Sequence, residues 1–284
     1  MAPARPGSPV PAVVRAWRAV AAVDVTPAGR AVPTVDAVPA RRAVPAGDAV
    51  PARRAVPAGG MVDVWWFDTR TVAPAPAGLA DLDRGERIRA EAFLFPADRH
   101  RFQVAHVMLR RVLARYLGAA PAGLLFGRER CPRCGAAGKP VLLPAPGRSL
   151  RAAPSFSLAH SGDMVVIAVA GHPVGVDVET EAAGCICALV QALHPADAAR
   201  TARLAEPERH DAIITCWVRA EAVLKCTGQG VGHGLGGAPV GTGGQAAGLR
   251  VSGCTVRQLP APPGYRAAVA LAGAKARHET ASTS

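Results

Sequence analysis

Alternating apolar and polar positions begin abruptly at Met61, where VDVWWFD reads as a strand, and globular patterning continues to about Gly273. Leu79 to Phe93 reads as a charged helix and Ala97 to Leu117 as a strongly amphipathic one. In the second, Phe102, Ala105, Leu109, Val112 and Tyr116 recur at steps of three and four, and Gly118 stops it. Ser155 to Leu158, Met164 to Ala170 and Val174 to Val178 read as short strands, the last two joined by a Gly-His-Pro turn. A helix from Arg209 to Cys226 ends at Gly228, and strands near Leu249 to Leu259 and Tyr265 to Leu271 follow. Helices alternating with mostly hairpin-linked strands predict an α+β fold of two similar α/β halves, residues 61–160 and 161–284.

Before Met61 the pattern is of another kind. GRAVPTVDAVPA, RRAVPAGDAVPA and RRAVPAGG repeat with a period of 12 residues, and the recurrent prolines forbid helix and interrupt strand ladders. Ala, Val and Gly offer no bulky core, so residues 1–60 are expected to be a disordered low-complexity tail, with Met61 a candidate initiator. Units this short and proline-broken bury too little to stack as a solenoid.

Charge narrows the partners without choosing among them. The 33 Lys and Arg against 21 Asp and Glu give +12, which suits nucleic acid, phosphate compounds or acidic proteins. Seven cysteines, an odd number in no regular framework, favour a reduced, cytoplasmic protein. Arg15 and Arg18 break the one segment resembling a signal peptide, and no uncharged run reaches the roughly 18 apolar residues of a membrane span.

Chemistry concentrates in four places. Asp177 and Glu179 in GVDVET lie two apart on a strand, so both face one side, where a divalent cation would relieve their repulsion; the plain alternative is a solvated strand end. In WVRAEAVLKCTGQG, Trp217, Glu221 and Lys225 share a helix face. Glu221 is either a third carboxylate for a metal, with Lys225 on the phosphates it holds, or half of a surface ion pair. FSLAHSGD runs a strand into a turn at His160, suited to a phosphate or to a structural role, and GKPVL aims Lys139 from a stiffened turn.

GKP, F-S-L-x-H-S-G, G-V-D-V-E and W-x-x-x-E-A-x-x-K, in this order, resemble the 4'-phosphopantetheinyl transferases of the pseudo-dimeric, broad-specificity, surfactin-synthetase-activating type, which serve polyketide and nonribosomal-peptide synthesis. FLFPADRHRFQVAHVMLRRVL is similar to that family's first helical signature, and the resemblance spans residues 61 to 271. It implies coenzyme A bound between two similar halves, Mg2+ on Asp177, Glu179 and Glu221, and coenzyme A phosphates met by Lys225, Lys139 and His160. Arg89 and Arg101 are similar to basic positions near the nucleotide. The reaction implied moves 4'-phosphopantetheine onto a serine of an acyl or peptidyl carrier protein and releases adenosine 3',5'-bisphosphate. Glu221, directly or through water, is the candidate base and Lys225 the second catalytic group, in a monomer without nucleic-acid or membrane partners.

Two positions depart from the family pattern. Ala159 stands where a serine is usual, which implies a missing hydroxyl contact to the substrate, and Arg219 stands where lysine is common. Cys131 and Cys134 have the spacing of half a zinc knuckle without a second half, and similar turns before GKP occur in the family, which favours a plain turn. The rival class, a basic nucleic-acid-binding protein using that half knuckle, has only 4% aromatic residues for base stacking and leaves the three carboxylates unexplained.

Overall fold

The apolar run at Met61 forms a strand buried over almost its whole length, because both of its faces are covered. The computed structural model describes residues 18–24, 53–72, 76–145, 153–181, 186–229, 237–243 and 248–273. The strands are β1 (Arg18–Asp24), β2 (Met61–Asp68), β3 (Leu125–Arg130), β4 (Ala137–Leu143), β5 (Ser155–Ser161), β6 (Met164–Ala170), β7 (Val174–Thr180), β8 (Leu249–Val251), β9 (Cys254–Leu259) and β10 (Tyr265–Ala272). The helices are α1 (Pro76–Leu79), α2 (Arg84–Glu91), α3 (Pro96–Leu117), α4 (Ile186–Ala192), α5 (Pro195–Thr201) and α6 (Glu208–Thr227). No described helix is long and apolar enough to cross a membrane.

Two antiparallel sheets, ordered β1-β2-β6-β5 and β7-β10-β9-β8, lie between the two long helices. Odd positions of β2 and β6, such as Trp65, Phe67, Val165 and Ile167, pack with Val104, Met108 and Val112 of α3. Their even positions, including Val64, Trp66, Val166 and Ala168, meet Val176, Val178, Ala267 and Val269 of the other sheet. The opposite face of β10, with Ala268 and Ala270, packs with Ile214, Val218 and Ala222 of α6. The order α3, sheet, sheet, α6 explains why β6 reads as seven consecutive buried residues rather than an alternation. The three-strand cores correspond: β2-β6-β5 and β7-β10-β9 each place the last strand of the unit in the middle.

Several expectations need correcting. Gly-His-Pro at 171–173 joins β6 to β7 as expected, but it carries the chain from one sheet to the other, so this is not one of the hairpin links. The change of sheet therefore falls there rather than at 160/161. The helix expected over Leu79 to Phe93 is divided by a cap, in which Asp83 accepts from the Glu86 N–H at 2.8 Å and Glu86 accepts from the Asp83 N–H at 3.0 Å. The Cys131–Ala136 segment turns the β3–β4 hairpin.

The tail expected over residues 1–60 is structured in two places. β1 pairs antiparallel with β2, and residues 53–60 pack on the domain. Arg54 holds Asp63 at 2.7 and 2.9 Å, and Tyr116 donates to Asp63 at 2.5 Å while accepting from Trp65 Nε1 at 3.1 Å. The reason is the buried Asp63 carboxylate, which needs a cation from outside the strand. Residues 1–17 and 25–52, which hold most of the repeats, lie outside the described residues.

Candidate active site

In β7, Val174, Val176 and Val178 face the sheet interface, which leaves Gly175, Asp177 and Glu179 facing α6. A Cβ on Gly175 would run into the Ala222 carbonyl and the Cys226 amide, so only glycine lets the helix backbone rest on the strand. That close seat carries Glu221 and Lys225, one turn apart on α6, over Asp177. Lys225 Nζ lies 2.6 Å from Asp177 Oδ1, and Asp177 Oδ2 is buried with no hydrogen-bond partner.

The carboxylates share one electrostatic environment. Burial pushes the Asp177 pKa up to about 7, with Glu221 and Glu179 adding to the shift and Lys225 opposing it. Burial also raises Glu221, which Lys225 opposes and Glu179 reinforces. Glu179 accepts a hydrogen bond from Ser161 Oγ at 2.6 Å, and that oxygen accepts from the Thr180 N–H at 3.2 Å. Among the described residues, no three His, Cys, Asp or Glu side chains are grouped closely enough to enclose a metal ion. Lys225 and Ser161 hold two of the three candidate ligands instead.

Beside this group opens a cleft of about 860 Å3 whose walls come from both units of the fold. Arg89, Lys139, Glu221 and Lys225 line it, together with Arg128 and His106, which the sequence did not single out. GKP lies within β4 rather than in the turn expected, and Lys139 reaches the Cys226 carbonyl at 3.5 Å and Glu129 at 3.6 Å, which fixes that strand against the end of α6. Asp177, Glu179, His160 and Arg101 are not lining residues. His160 is nevertheless close enough that protein crowding, then the charges of Lys225, His106 and Arg101, lower its pKa. Arg101 is engaged by Asp98 at 2.8 Å and Asp163 at 3.6 Å.

The two departures from the family pattern have structural explanations. Ala159 is buried between the sheets and is not among the residues that line the cleft. Arg219 is buried too, donating to Gln258 at 3.1 Å and to the carbonyls of Gly241 and Gly243 at 2.7 and 2.8 Å. The guanidinium fork thus clamps the loop after α6, a task a single ammonium could not match.

No protein-family model matches the chain. The 4'-phosphopantetheinyl transferase psf-1 of Bacillus pumilus is 32% identical over 191 residues, which cover 65% of this chain and 76% of that protein. The chain belongs to the 4'-phosphopantetheinyl transferase family. It is an enzyme, a transferase, as the other relatives also indicate. The 4'-phosphopantetheinyl transferase of Bacillus subtilis is 25% identical over 153 residues, 54% of this chain and 63% of that protein. A phosphopantetheinyl transferase of Thraustochytrium sp. is 37% identical over 125 residues, 41% and 39% of the two chains.

Proposed function

We propose that this transferase moves the 4'-phosphopantetheine arm of coenzyme A onto a serine of an acyl or peptidyl carrier protein, releasing adenosine 3',5'-bisphosphate. The observation that carries the reading is Lys225, which holds the buried Asp177 carboxylate and, with Glu221, lines a basic cleft of about 860 Å3. The matching strand orders of the two sheets support a pseudo-dimeric fold with coenzyme A between its halves, and we read the chain as a monomer.

The chemistry of the donor set suits a hard divalent cation, for which the three carboxylates would have to draw together. Asp177 Oδ2 is orphaned, Glu221 and Glu179 both act on Asp177, and all three offer the oxygen ligands that Mg2+ prefers. Asp177, Glu179 and Glu221 would hold the ion, and when bound it supplies charge neutralisation on the diphosphate.

The protein's own groups do the rest. Arg89, Lys139 and Lys225 bind and orient the phosphates of coenzyme A, His160 offers a ring N–H to them, and Arg101 adds positive potential. The carrier serine oxygen forms a bond to the β-phosphorus as the bond to the bridging oxygen breaks, and the electron pair leaves on adenosine 3',5'-bisphosphate. Glu221, directly or through one water, takes the serine proton, and its raised pKa makes it a stronger base than an ordinary carboxylate. Lys225 stabilises the charge developing on the leaving side. Cytoplasmic action on carriers of secondary metabolism completes the reading.

The test is incubation with coenzyme A, Mg2+ and a panel of unmodified acyl and peptidyl carrier domains, followed by intact mass measurement. A phosphopantetheine adduct on a carrier serine is expected. Absence of adduct across the panel, with a known transferase modifying the same carriers, would overturn the reading.

A further inference from the structure

α2 and α3 are tied together at Glu86, a carboxylate only 4% exposed. It accepts from the Asp83 N–H at 3.0 Å, Arg110 Nε at 2.6 Å and His106 Nδ1 at 2.9 Å. Burial works against its charge, yet the hydrogen bonds from His106, Asp83 and Arg110 hold its pKa below the usual value. An ionised carboxylate only accepts, so the Nδ1 of His106 carries a proton and Nε2 is the nitrogen left for another partner. The same ring stacks on Phe102 one turn earlier, with centroids 4.1 Å apart, and the Arg89 guanidinium lies 5.5 Å from that Phe102 centroid.

One aromatic ring thus steadies two basic groups, and both line the cleft. Asp83 and Glu86 are on the same wall and would repel an anion, but Arg110, itself fully buried, binds both at 2.6 Å. Arg89, Arg128 and Lys139 are left as the cations of this part of the wall, and His106 sits among them.

We propose that His106, held by Glu86 and Phe102, binds a phosphate of the coenzyme A substrate alongside Arg89. The ring binds as the imidazolium, donating Nδ1–H to Glu86 and Nε2–H to the phosphate oxygen. The charged groups around it are Glu86 and Arg89 from α2, Asp83 at the cap of α2, Arg110 from α3, Arg128 from β3 and Lys139 from β4, with the titratable ring of His160 on β5 close by. This inference rests on the coenzyme A reading of the cleft.

Affinity for coenzyme A is measured without carrier protein on the full chain and on H106Q and H106A, with thermal unfolding as the check on folding. H106Q is expected to weaken coenzyme A by about tenfold, the worth of one charge-assisted hydrogen bond. If 3'-dephospho-coenzyme A is bound equally by parent and H106Q, the phosphate is the 3'-phosphate; if both ligands weaken together, it is the diphosphate. Unchanged affinity for coenzyme A in folded H106Q overturns the proposal. Failure of the parent to bind coenzyme A at all defeats the functional reading instead. Should the variants not fold, nitrogen NMR of the parent decides: the Nε2 resonance of His106 shifts with coenzyme A and not with pantetheine, and a ring that responds to neither overturns the proposal.

Discussion

Lys225 Nζ reaches Asp177 Oδ1 at 2.6 Å while the other oxygen of the same carboxylate, equally shielded from water, meets no donor. The pair is therefore only half compensated. Asp177 is held by one cation in a place that a second would fill, and Glu221 and Glu179 both raise the demand for it.

Stability without metal should record that demand. Asp177 loses its proton near pH 7 in the fold and near 3.8 in the unfolded chain, so between these values the native state holds the extra proton. Stability in EDTA should fall as pH rises from about 4 to about 7 and level off above, with Glu221 acting in the same direction. Denaturant melts across this range should show D177N with a flatter profile. Identical slopes in parent and variant would refute the assignment.

Replacement of Asp177, Glu179 or Glu221 by its amide should lower transfer steeply at fixed Mg2+ with little loss of fold. Lys225→Ala should weaken coenzyme A binding and transfer together. Single-turnover rates over a Mg2+ titration are the measurement, and parental rates with parental Mg2+ dependence in the amides would misplace the site.

Gly175→Ala tests how the site is mounted. Its methyl group would meet the Ala222 carbonyl and the Cys226 amide, so α6 must lift from β7. A loss of about 1–3 kcal/mol is expected from such overpacking. Activity should fall further than stability accounts for, because Glu221 and Lys225 ride on the displaced helix.

Ser157 and Ser161 accept from the N–H groups of Val176 and Thr180 at 3.0 and 3.2 Å, joining the edge of β5 to that of β7. Ala159 lies between them on the same face. Ala159→Ser should complete this row at Val178 and add about 0.5–1.5 kcal/mol of stability, with no change in coenzyme A affinity. Tighter coenzyme A binding without a rise in melting temperature would reverse this reading.

A chain beginning at Met61 should be less stable than one beginning at Arg53. It loses Arg54, which pairs with an Asp63 side chain only 6% exposed. The expected deficit is about 1–2 kcal/mol, less than for a fully buried pair because Arg54 itself is 41% exposed. Equal melting curves for the two chains would contradict it.

The long helices were legible because their apolar periods are unbroken and each ends at a left-handed glycine, Gly118 or Gly228. The Asp83 cap inside the first charged segment was also written in the sequence, as Asp followed three residues later by Glu, but charge on both sides hid it. The Gly-His-Pro turn was legible, but nothing local in it tells that it links two sheets. Only the burial of β6 and β7 on both faces sends the chain to a second sheet. In the site, Asp177, Glu179, Glu221 and Lys225 were readable because each pair is local in sequence. Ser161 with Glu179 and His106 with Glu86 were not, since those bonds join residues 18 and 20 positions apart and no local pattern marks them.

β1 covers the outer edge of β2, from Arg18 opposite Trp66 to Asp24 opposite Met61. Take that strand away and the sheet ends in a row of unanswered amide and carbonyl groups on a segment carrying Trp65, Trp66 and Phe67. Such an edge accepts any extended chain, including its own copy. Self-association of a chain starting at Arg53, growing with protein concentration, is the expected consequence of baring that edge.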